Sequence, residues 1–206
     1  MARTRLKGAE RKASIIAVAK RLFARAGYHG VSVDEIAREV GVSPAILYQH
    51  YRSKETLYQD VLSEMSCRRD SYRDAIFAGP TDFASLLTRM TVRFVRSMLD
   101  DPDYIRIELL SALDGTAAAQ HVFGNRWRHF TDYIRYEIEE AAQRGERPVA
   151  DVDAVCLLFR GMVRELVYAR AVLGEEPYCR GDVDAQVGTL VSMFMRALGL
   201  AQAVSQ

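Results

Sequence analysis

The sequence has few of the residues that build disulfide frameworks and metal centres. Its 206 residues include three cysteines, Cys67, Cys156 and Cys179, and four histidines. An odd number of widely spaced cysteines is not typical of a disulfide framework. No histidine stands at a metal-ligand spacing from a cysteine or a carboxylate, so we expect no metal site.

Long apolar runs are also missing. The best ones, residues 15–19 and 154–159, fall far short of the roughly 18 residues that a membrane-spanning helix needs. No apolar segment of signal-peptide length follows the basic N-terminus. The hydrophobic share of 49% and the charged share of 27% are typical of a folded globular protein. We therefore expect a cytoplasmic protein with no membrane partner.

The patterns that carry catalysis are missing too. The sequence contains no glycine-rich phosphate loop, no paired-carboxylate motif and no Ser/His/Asp spacing. The pairs at 139–140 and 175–176 are typical of solvated glutamates. Cys67 precedes two arginines, which leaves open a reactive thiol or an ordinary helix thiol. We expect neither an enzyme nor a bound cofactor.

The net charge of +1 conceals an asymmetry along the chain. The first 58 residues carry eleven Lys and Arg against five Asp and Glu, whereas the remainder carries 17 against 22. A basic end on an acidic remainder favours contact with a polyanion. A solvated basic helix has the same composition, so charge alone leaves both interpretations open.

Helical periodicity runs through the whole chain, and it predicts an all-α fold of about nine helices. Residues 32–51 contain a capped helix, a tight turn at Gly41 and a second capped helix. Ser32 begins a capping box with Glu35, and Ser43 precedes a proline at the first helical position. This arrangement predicts a helix-turn-helix, which the helix at 9–26 completes as a three-helix module.

The segment from Gly41 to Leu57, GVSPAILYQHYRSKETL, resembles the DNA-binding signature of the TetR/AcrR-type transcriptional regulators. The preceding segment from Ala24 to Val33 matches the same pattern, and the only departure is Tyr51, where the family more often has Phe. The resemblance implies a DNA-binding domain over residues 1–53. It also implies a helical ligand-binding and dimerisation domain over residues 54–206.

The resemblance places the helix at 44–51 in the major groove of double-stranded operator DNA. Glutamine can contact adenine through two hydrogen bonds and alanine can contact the thymine methyl group, so we expect Gln49 and Ala45 to read bases. Helix N-termini and basic side chains add phosphate contacts. The predicted DNA-binding set is Ser32, Arg38, Ser43, Pro44, Ala45, Tyr48, Gln49, His50 and Lys54, assisted by the basic N-terminal residues Arg3, Arg5, Lys7, Arg11 and Lys12.

Three of these residues owe their phosphate role to the resemblance, and each has an open alternative. Tyr48 is also compatible with a packing aromatic, His50 with a core or capping histidine, and Lys54 with a solvated helix start.

The last two helices, at about 151–173 and 182–199, carry apolar residues on more than one side. A helix with two apolar stripes is buried on two sides. We expect these helices to pack on the core and also on a second copy of the chain, as a homodimer. Deep burial in a monomer is the alternative.

The resemblance also implies a small-molecule effector that binds inside the bundle. Methionines and aromatic residues suit a roomy, largely apolar pocket, and the same residues suit an ordinary core. We expect a dimeric repressor that such an effector releases from a palindromic operator; the alternatives are control by a protein partner or an enzyme with a borrowed helix-turn-helix. The candidate ligand residues are Met65, Tyr72, Met90, Phe94, Met98, Glu108, Trp127, Phe130, Tyr133 and Met162.

Overall fold

The computed structural model describes residues 8–70, 82–116, 122–123, 127–145 and 151–200. For residues 66–70 it describes the backbone only. Over these ranges the regular structure consists of nine α-helices and a π-helical turn, with no strand. The all-α fold predicted from the periodicity is confirmed. None of the helices in these ranges is long and apolar enough to cross a bilayer.

The helices are numbered in chain order. They are α1 (Gly8–Ala26), α2 (Val33–Val40), α3 (Pro44–His50), α4 (Lys54–Asp70), α5 (Phe83–Leu99), α6 (Pro102–Asp114), α7 (Arg128–Gln143), α8 (Val152–Tyr168) and α9 (Val183–Ala197), and the π-helical turn Ala169–Leu173 extends α8.

Local capping explains where many of the helices begin. Five of them follow a serine or aspartate whose side chain accepts a hydrogen bond from the backbone N–H three residues on. Such a cap satisfies one of the free N–H groups of the first turn and contributes about 1 kcal/mol. The capping residues are Ser32, Ser43, Asp82, Asp151 and Asp182.

The described parts of residues 8–70 and 103–123 form one compact unit. In this unit α1 packs on α2 and α4, and α3 packs on α2. The fully buried side chains include Ile15, Phe23, Ile36 and Leu47.

A buried hydrogen bond joins α6 to α4 within the first unit. The oxygen atoms of Tyr58 and Ser111 are 2.5 Å apart, and both residues are 2% exposed. The Ser111 hydroxyl donates to the carbonyl of Ile107, so its one proton is used and the Tyr58 hydroxyl is the donor to Ser111. Burial raises the pKa of Tyr58, which keeps this donor protonated.

The described parts of residues 82–102, 127–145 and 151–200 form a second unit, which contains α5, α7, α8 and α9. Here α5 packs on α9, α8 and α7, and α8 packs on α7 and α9. An ion pair of 2.8 Å between Arg96 and Asp184 joins α5 to α9 at the surface. Helices α4 and α6 belong to the first unit, whereas the predicted ligand-binding domain, residues 54–206, contains both of them. The compact units therefore do not correspond to the two predicted functional domains. The boundary at 53/54 stays a prediction.

We predict that Tyr58→Phe lowers the free energy of unfolding by about 1 kcal/mol, the usual contribution of one buried hydrogen bond. The substitution leaves the Ser111 hydroxyl paired with Ile107, so no buried donor loses its acceptor. Urea denaturation followed by circular dichroism measures the change. Tyr136→Phe on α7, where the side chain is 58% exposed, is the control and should change stability by less than about 0.5 kcal/mol. Equal stability of the two variants would contradict the prediction.

Candidate nucleic-acid interface

The turn between α2 and α3 depends on one glycine. Gly41 has φ 79°, and its N–H reaches the carbonyls of Ala37 and Arg38 at the end of α2. Side chains with a Cβ are disfavoured in this left-handed conformation, whereas glycine adopts it freely. Two residues later Ser43 caps α3, and Pro44 occupies its first position. The chain therefore reverses within three residues, as a helix-turn-helix requires.

Helix α3 has one buried side chain and a largely exposed outer face. Leu47 is 1% exposed, whereas Tyr48 is 51% exposed. The exposure of Tyr48 favours its surface interpretation over a packing aromatic. The exposed residues of α3 are the ones predicted to face DNA, namely Pro44, Ala45, Tyr48, Gln49 and His50.

Two helix N-termini lie at the same module. The Ser32 hydroxyl oxygen accepts from the N–H of Glu35 at 3.1 Å, and that of Ser43 accepts from Ile46 at 3.4 Å. The first turn of α3 carries no acidic residue, whereas α2 has Asp34 and Glu35 there. The Glu35 carboxylate accepts a hydrogen bond of 3.0 Å from Arg25 on α1, and this ion pair offsets part of the negative charge.

A cleft of about 540 Å³ opens at the N-terminus of α2. Its lining joins three residues of the predicted set, Ser32, Tyr48 and Lys54, with His29. Arg38 is exposed on α2. The cleft thus combines helix N–H groups, a phenol and an ammonium group, which bind phosphate oxygens, with the carboxylates of Asp34 and Glu35, which repel them.

Lys54 is more enclosed than a solvated helix start. Its Nζ donates to the carbonyl oxygens of Tyr28 at 2.9 Å and Val31 at 3.0 Å, and it lies 4.3 Å from the centroid of the Tyr28 ring. Tyr28 is absent from the predicted site. The signal available in the sequence was an aromatic residue directly after Gly27, within the segment that matches the family pattern.

The short connection between α1 and α2 leaves no room at Gly30. A Cβ built on this residue would lie 2.2 Å from the carbonyl oxygen of Ala26. Gly27, at the other end, has φ 70°, and its N–H bonds to Phe23 at 2.9 Å. These two glycines let the chain leave α1 and enter α2 within six residues.

Part of the predicted basic N-terminal segment belongs to α1. Arg11 and Lys12 lie in this helix, and Lys12 forms an ion pair of 2.8 Å with Asp60 of α4. Lys12 also lies 5.6 Å from the ring centroid of Tyr51, which is 3% exposed. Tyr51, which directly follows α3, is therefore a core residue. Arg3, Arg5 and Lys7 lie outside the described residues.

Three candidate ligand residues of the second unit, Phe94, Trp127 and Phe130, belong to one aromatic cluster. The Trp127 ring lies 4.8 Å from that of Phe94 and 5.7 Å from that of Phe130, which continues to Phe159 at 5.7 Å. Trp127, Phe130 and Met98 are buried, whereas Met90, Phe94, Tyr133 and Met162 are half-buried. Tyr133 contacts the ring of Phe83 at 5.5 Å.

The remaining candidates lie elsewhere. Met65 on α4 is buried and Glu108 on α6 is half-buried, both in the first unit, and Tyr72 lies outside the described residues. A cavity of about 500 Å³ in the second unit is lined by none of the predicted ligand residues. Its walls include Phe83, Glu137, Arg144, Val191 and Met195.

The last two helices expose apolar side chains in the single chain. This is expected if their second apolar side packs on another copy of the chain. Leu157 and Leu158 of α8 are 66% and 50% exposed, and Met193 of α9 is 53% exposed. Gly161 lies on the same side of α8, and a Cβ built there would have no neighbour within 4 Å. Large exposed apolar side chains on adjoining helices are typical of a protein interface.

Comparison with protein families identifies the module. Residues 15–61 match the family model of the bacterial regulatory proteins of the tetR family. The HTH-type transcriptional activator FasR of Mycolicibacterium smegmatis is 45% identical over 58 residues, which are 28% of this chain and 26% of that protein. This chain therefore aligns with about a quarter of that relative.

Other relatives align over most of the chain. The HTH-type transcriptional repressor Rv1474c of Mycobacterium tuberculosis is 25% identical over 179 residues, which cover 82% of this chain and 86% of that protein. The structure of the transcriptional regulator FadR of Bacillus subtilis in complex with stearoyl-CoA matches with a TM-score of 0.67 and 17% identity, covering 88% of this chain and 96% of that one. At this identity the structural match shows the shared fold.

Proposed function

We propose that this chain is a TetR-type transcriptional regulator, and that it is a dimeric repressor which a small, largely apolar ligand releases from a palindromic operator. The match of residues 15–61 to the tetR family model and the alignment with the repressor Rv1474c support this proposal. The proposal places the protein in the cytoplasm, with operator DNA, a second copy of itself and the effector as its partners. It assigns no catalytic step to the chain.

The observation that carries the DNA-binding proposal is the division of α3 into a buried Leu47 and an exposed outer face. A short helix held in this way can enter the major groove with its first turns. Gln49 and Ala45 then read base edges, while Tyr48, His50, Arg38 and the N-termini at Ser32 and Ser43 contact phosphates.

Repression is favoured over activation by how far the relatives align. The named repressor aligns over 82% of this chain, whereas the named activator aligns over 28%. In this proposal the larger part of the chain regulates DNA binding, so the longer alignment is the more relevant one.

Binding to the DNA upstream of its own gene, measured by fluorescence anisotropy, tests the proposed function. We expect tight binding that prefers this DNA over a scrambled fragment and weakens steeply with salt. Equal and weak binding to both fragments would contradict a repressor of its own gene.

We predict that Gln49→Ala removes about 1–3 kcal/mol of discrimination at one base pair. The variant should bind the operator more weakly and lose its preference there, because the two hydrogen bonds to adenine are gone. Anisotropy titrations against single-base operator variants measure this preference. Gln59→Ala, an exposed glutamine on α4, is the control. An equal loss of affinity for operator and scrambled DNA would contradict base reading by Gln49.

The exposed apolar side chains of α8 and α9 support the homodimer. A second copy related by a two-fold axis would cover Leu157, Leu158 and Met193 with the same residues of its own. Gly161 would allow two α8 helices to approach closely, since it has no side chain to separate them. Two DNA-binding modules would then face half-sites about 34–36 Å apart, one turn of DNA.

We predict that Leu157→Glu converts the dimer into a monomer, because it buries a charge without a partner at the interface. Sedimentation equilibrium should give about twice the chain mass of 23.2 kDa for the native protein and the chain mass for the variant. Tyr136→Glu, at an aromatic side chain of α7 that is 58% exposed against 66% for Leu157, should stay dimeric. A monomeric native protein, or a dimeric Leu157→Glu, would contradict this interface.

The aromatic and methionine side chains of the second unit support an apolar effector. The half-buried Phe94 contacts the buried Trp127, with ring centroids 4.8 Å apart. Met90 and Met162 are also half-buried, and flexible methionines adapt to an inserted ligand. A structural neighbour of the same fold binds stearoyl-CoA, which makes long-chain acyl compounds the first class to test. Such a ligand releases the DNA only if it binds more tightly to a conformation of the dimer whose two DNA-binding modules are spaced differently from those of the DNA-bound conformation.

Trp127 is the single tryptophan of the chain, so its fluorescence reports on this cluster alone. We predict that stearoyl-CoA changes the emission saturably and weakens operator binding at least about tenfold, which needs about 1.4 kcal/mol of differential affinity. Coenzyme A without the acyl chain should do neither. A change in emission with unaltered operator affinity would contradict regulation by this ligand, and operator release without a change would place its site elsewhere.

A further inference from the structure

We propose that the cavity of about 500 Å³ in the second unit is a binding site for a small amphipathic cation, an alkyl ammonium compound, which the carboxylates of Asp82 and Glu137 attract. This site is separate from the aromatic cluster around Trp127, where the effector is proposed to bind. The inference goes beyond the proposed function and depends neither on DNA binding nor on that effector.

The cavity and the aromatic cluster lie at different levels of the same helices. On α5, Phe83 in the cavity wall precedes Phe94 of the cluster by eleven residues, and along α7 Glu137 follows Trp127 by ten. A helix rises about 1.5 Å per residue, so the two places are about 15 Å apart along both helices. A short ligand in the cavity is therefore not in contact with the Trp127 ring.

The floor of the cavity is apolar. Val191 and Met195 of α9 are 2% and 6% exposed, Ala141 of α7 is 4% exposed, and all three line the cavity. An alkyl chain placed against these side chains leaves water, and a methionine adapts its shape to such a chain. The volume of about 500 Å³ lies within the range of small-ligand sites.

A glycine in the middle of α9 keeps one wall of the cavity open. Gly188 is the sixth residue of α9 and lines the cavity, and a Cβ built on it would have no neighbour within 4 Å among the described residues. Its φ is not positive, so the backbone conformation does not require a glycine. A glycine inside a helix lowers the stability of that helix relative to alanine. This glycine therefore preserves space at a cost in stability, as a ligand site requires.

The charges of the described lining favour a cation. Asp82 at the start of α5 and Glu137 of α7 supply two carboxylates, and Arg144 at the end of α7 supplies one guanidinium group, which leaves an excess of one negative charge. Burial, followed by the charges of Glu137 and Asp82, raises the pKa of Tyr133, so both carboxylates lie close to the same phenol. A bound monocation would neutralise the excess charge, whereas an anion would increase it.

An aromatic ring adds to this preference. Phe83 lines the cavity, and the Tyr133 ring packs edge-on against it with centroids 5.5 Å apart. Aromatic faces attract quaternary ammonium groups. The cavity thus combines carboxylates and a ring for the head group with an apolar floor for the tail.

Isothermal titration calorimetry of the full chain tests the site with two probes that have similar tails and opposite charges, hexyltrimethylammonium and hexanoate. We expect the cation to bind saturably, with one molecule per chain, and at least about tenfold more tightly than the anion. The absence of saturable binding of the cation would overturn the proposal. Equal or tighter binding of hexanoate would overturn it as well.

Glu137→Gln removes one charge with little change of volume. We expect it to weaken binding of hexyltrimethylammonium at least about tenfold. Glu139→Gln makes the same change at an exposed position of α7 outside the described lining, so it is the matched control and should bind like the native protein. Unchanged binding by Glu137→Gln, or an equal loss in both variants, would contradict the role of Glu137.

Gly188→Leu places a side chain into the cavity. We expect this variant to lose binding of hexyltrimethylammonium and to melt at a higher temperature than the native protein, because leucine is the better helix former. Native affinity in the folded variant would place the ligand elsewhere and overturn the proposal. If the variant does not fold, Glu137→Gln still decides.

Trp127 emission separates this site from the proposed effector site. We expect hexyltrimethylammonium to saturate the cavity without changing the emission, because the ring is about 15 Å away along the helices. A saturable change would place the cation at the aromatic cluster and overturn the proposal. Failure of stearoyl-CoA to release the operator would contradict the proposed effector class alone, and the calorimetry would still decide whether the cavity binds cations.

Discussion

The packing of two very short helices on a longer one is the constraint on which the DNA-binding module depends. Helices of seven and eight residues are not stable alone in water. Because α3 packs on α2 and α2 packs on α1, the buried side of α1 supports both. The burial of Leu47 fixes the rotation of α3 about its axis, and this rotation determines which side chains remain outside. The position of the reading surface is therefore a consequence of core packing.

Signals that act within one turn of chain could be predicted from the sequence. The end of α2 at Gly41 and the start of α3 at Ser43 and Pro44 follow from backbone conformation and capping, which need no distant partner. The partners of Lys54 could not be predicted in this way. Its two acceptor carbonyls are 23 and 26 residues away in the sequence. Helical periodicity predicts contacts only between residues three or four positions apart, so it does not predict these partners. The same limit applies to Tyr58 and Ser111, which are 53 residues apart.

The predicted effector site shows a different limit of sequence reasoning. A face of methionines and aromatic residues looks the same whether it lines a pocket or fills a core, because both require apolar side chains at helical spacing. In the structure Trp127 and Phe130 are buried against each other, while a cavity near Phe83 has walls from three helices. The volume of a cavity depends on how the helices are spaced, and no single helix encodes that spacing. The second apolar stripes predicted on α8 and α9 correspond in the structure to exposed side chains, and the dimer that would cover them stays a prediction.

The exposed positions of α3 bear on how this regulator could diverge. Ala45 and Gln49 lie outside the core, so substitutions there remove no buried contact, whereas a change at Leu47 would leave a cavity under the helix. Surface substitutions of this kind usually change stability very little. If these positions read the operator as proposed, its preference can drift by single steps without passing through unstable intermediates, and a duplicated gene could acquire a new set of target promoters while it keeps the same fold.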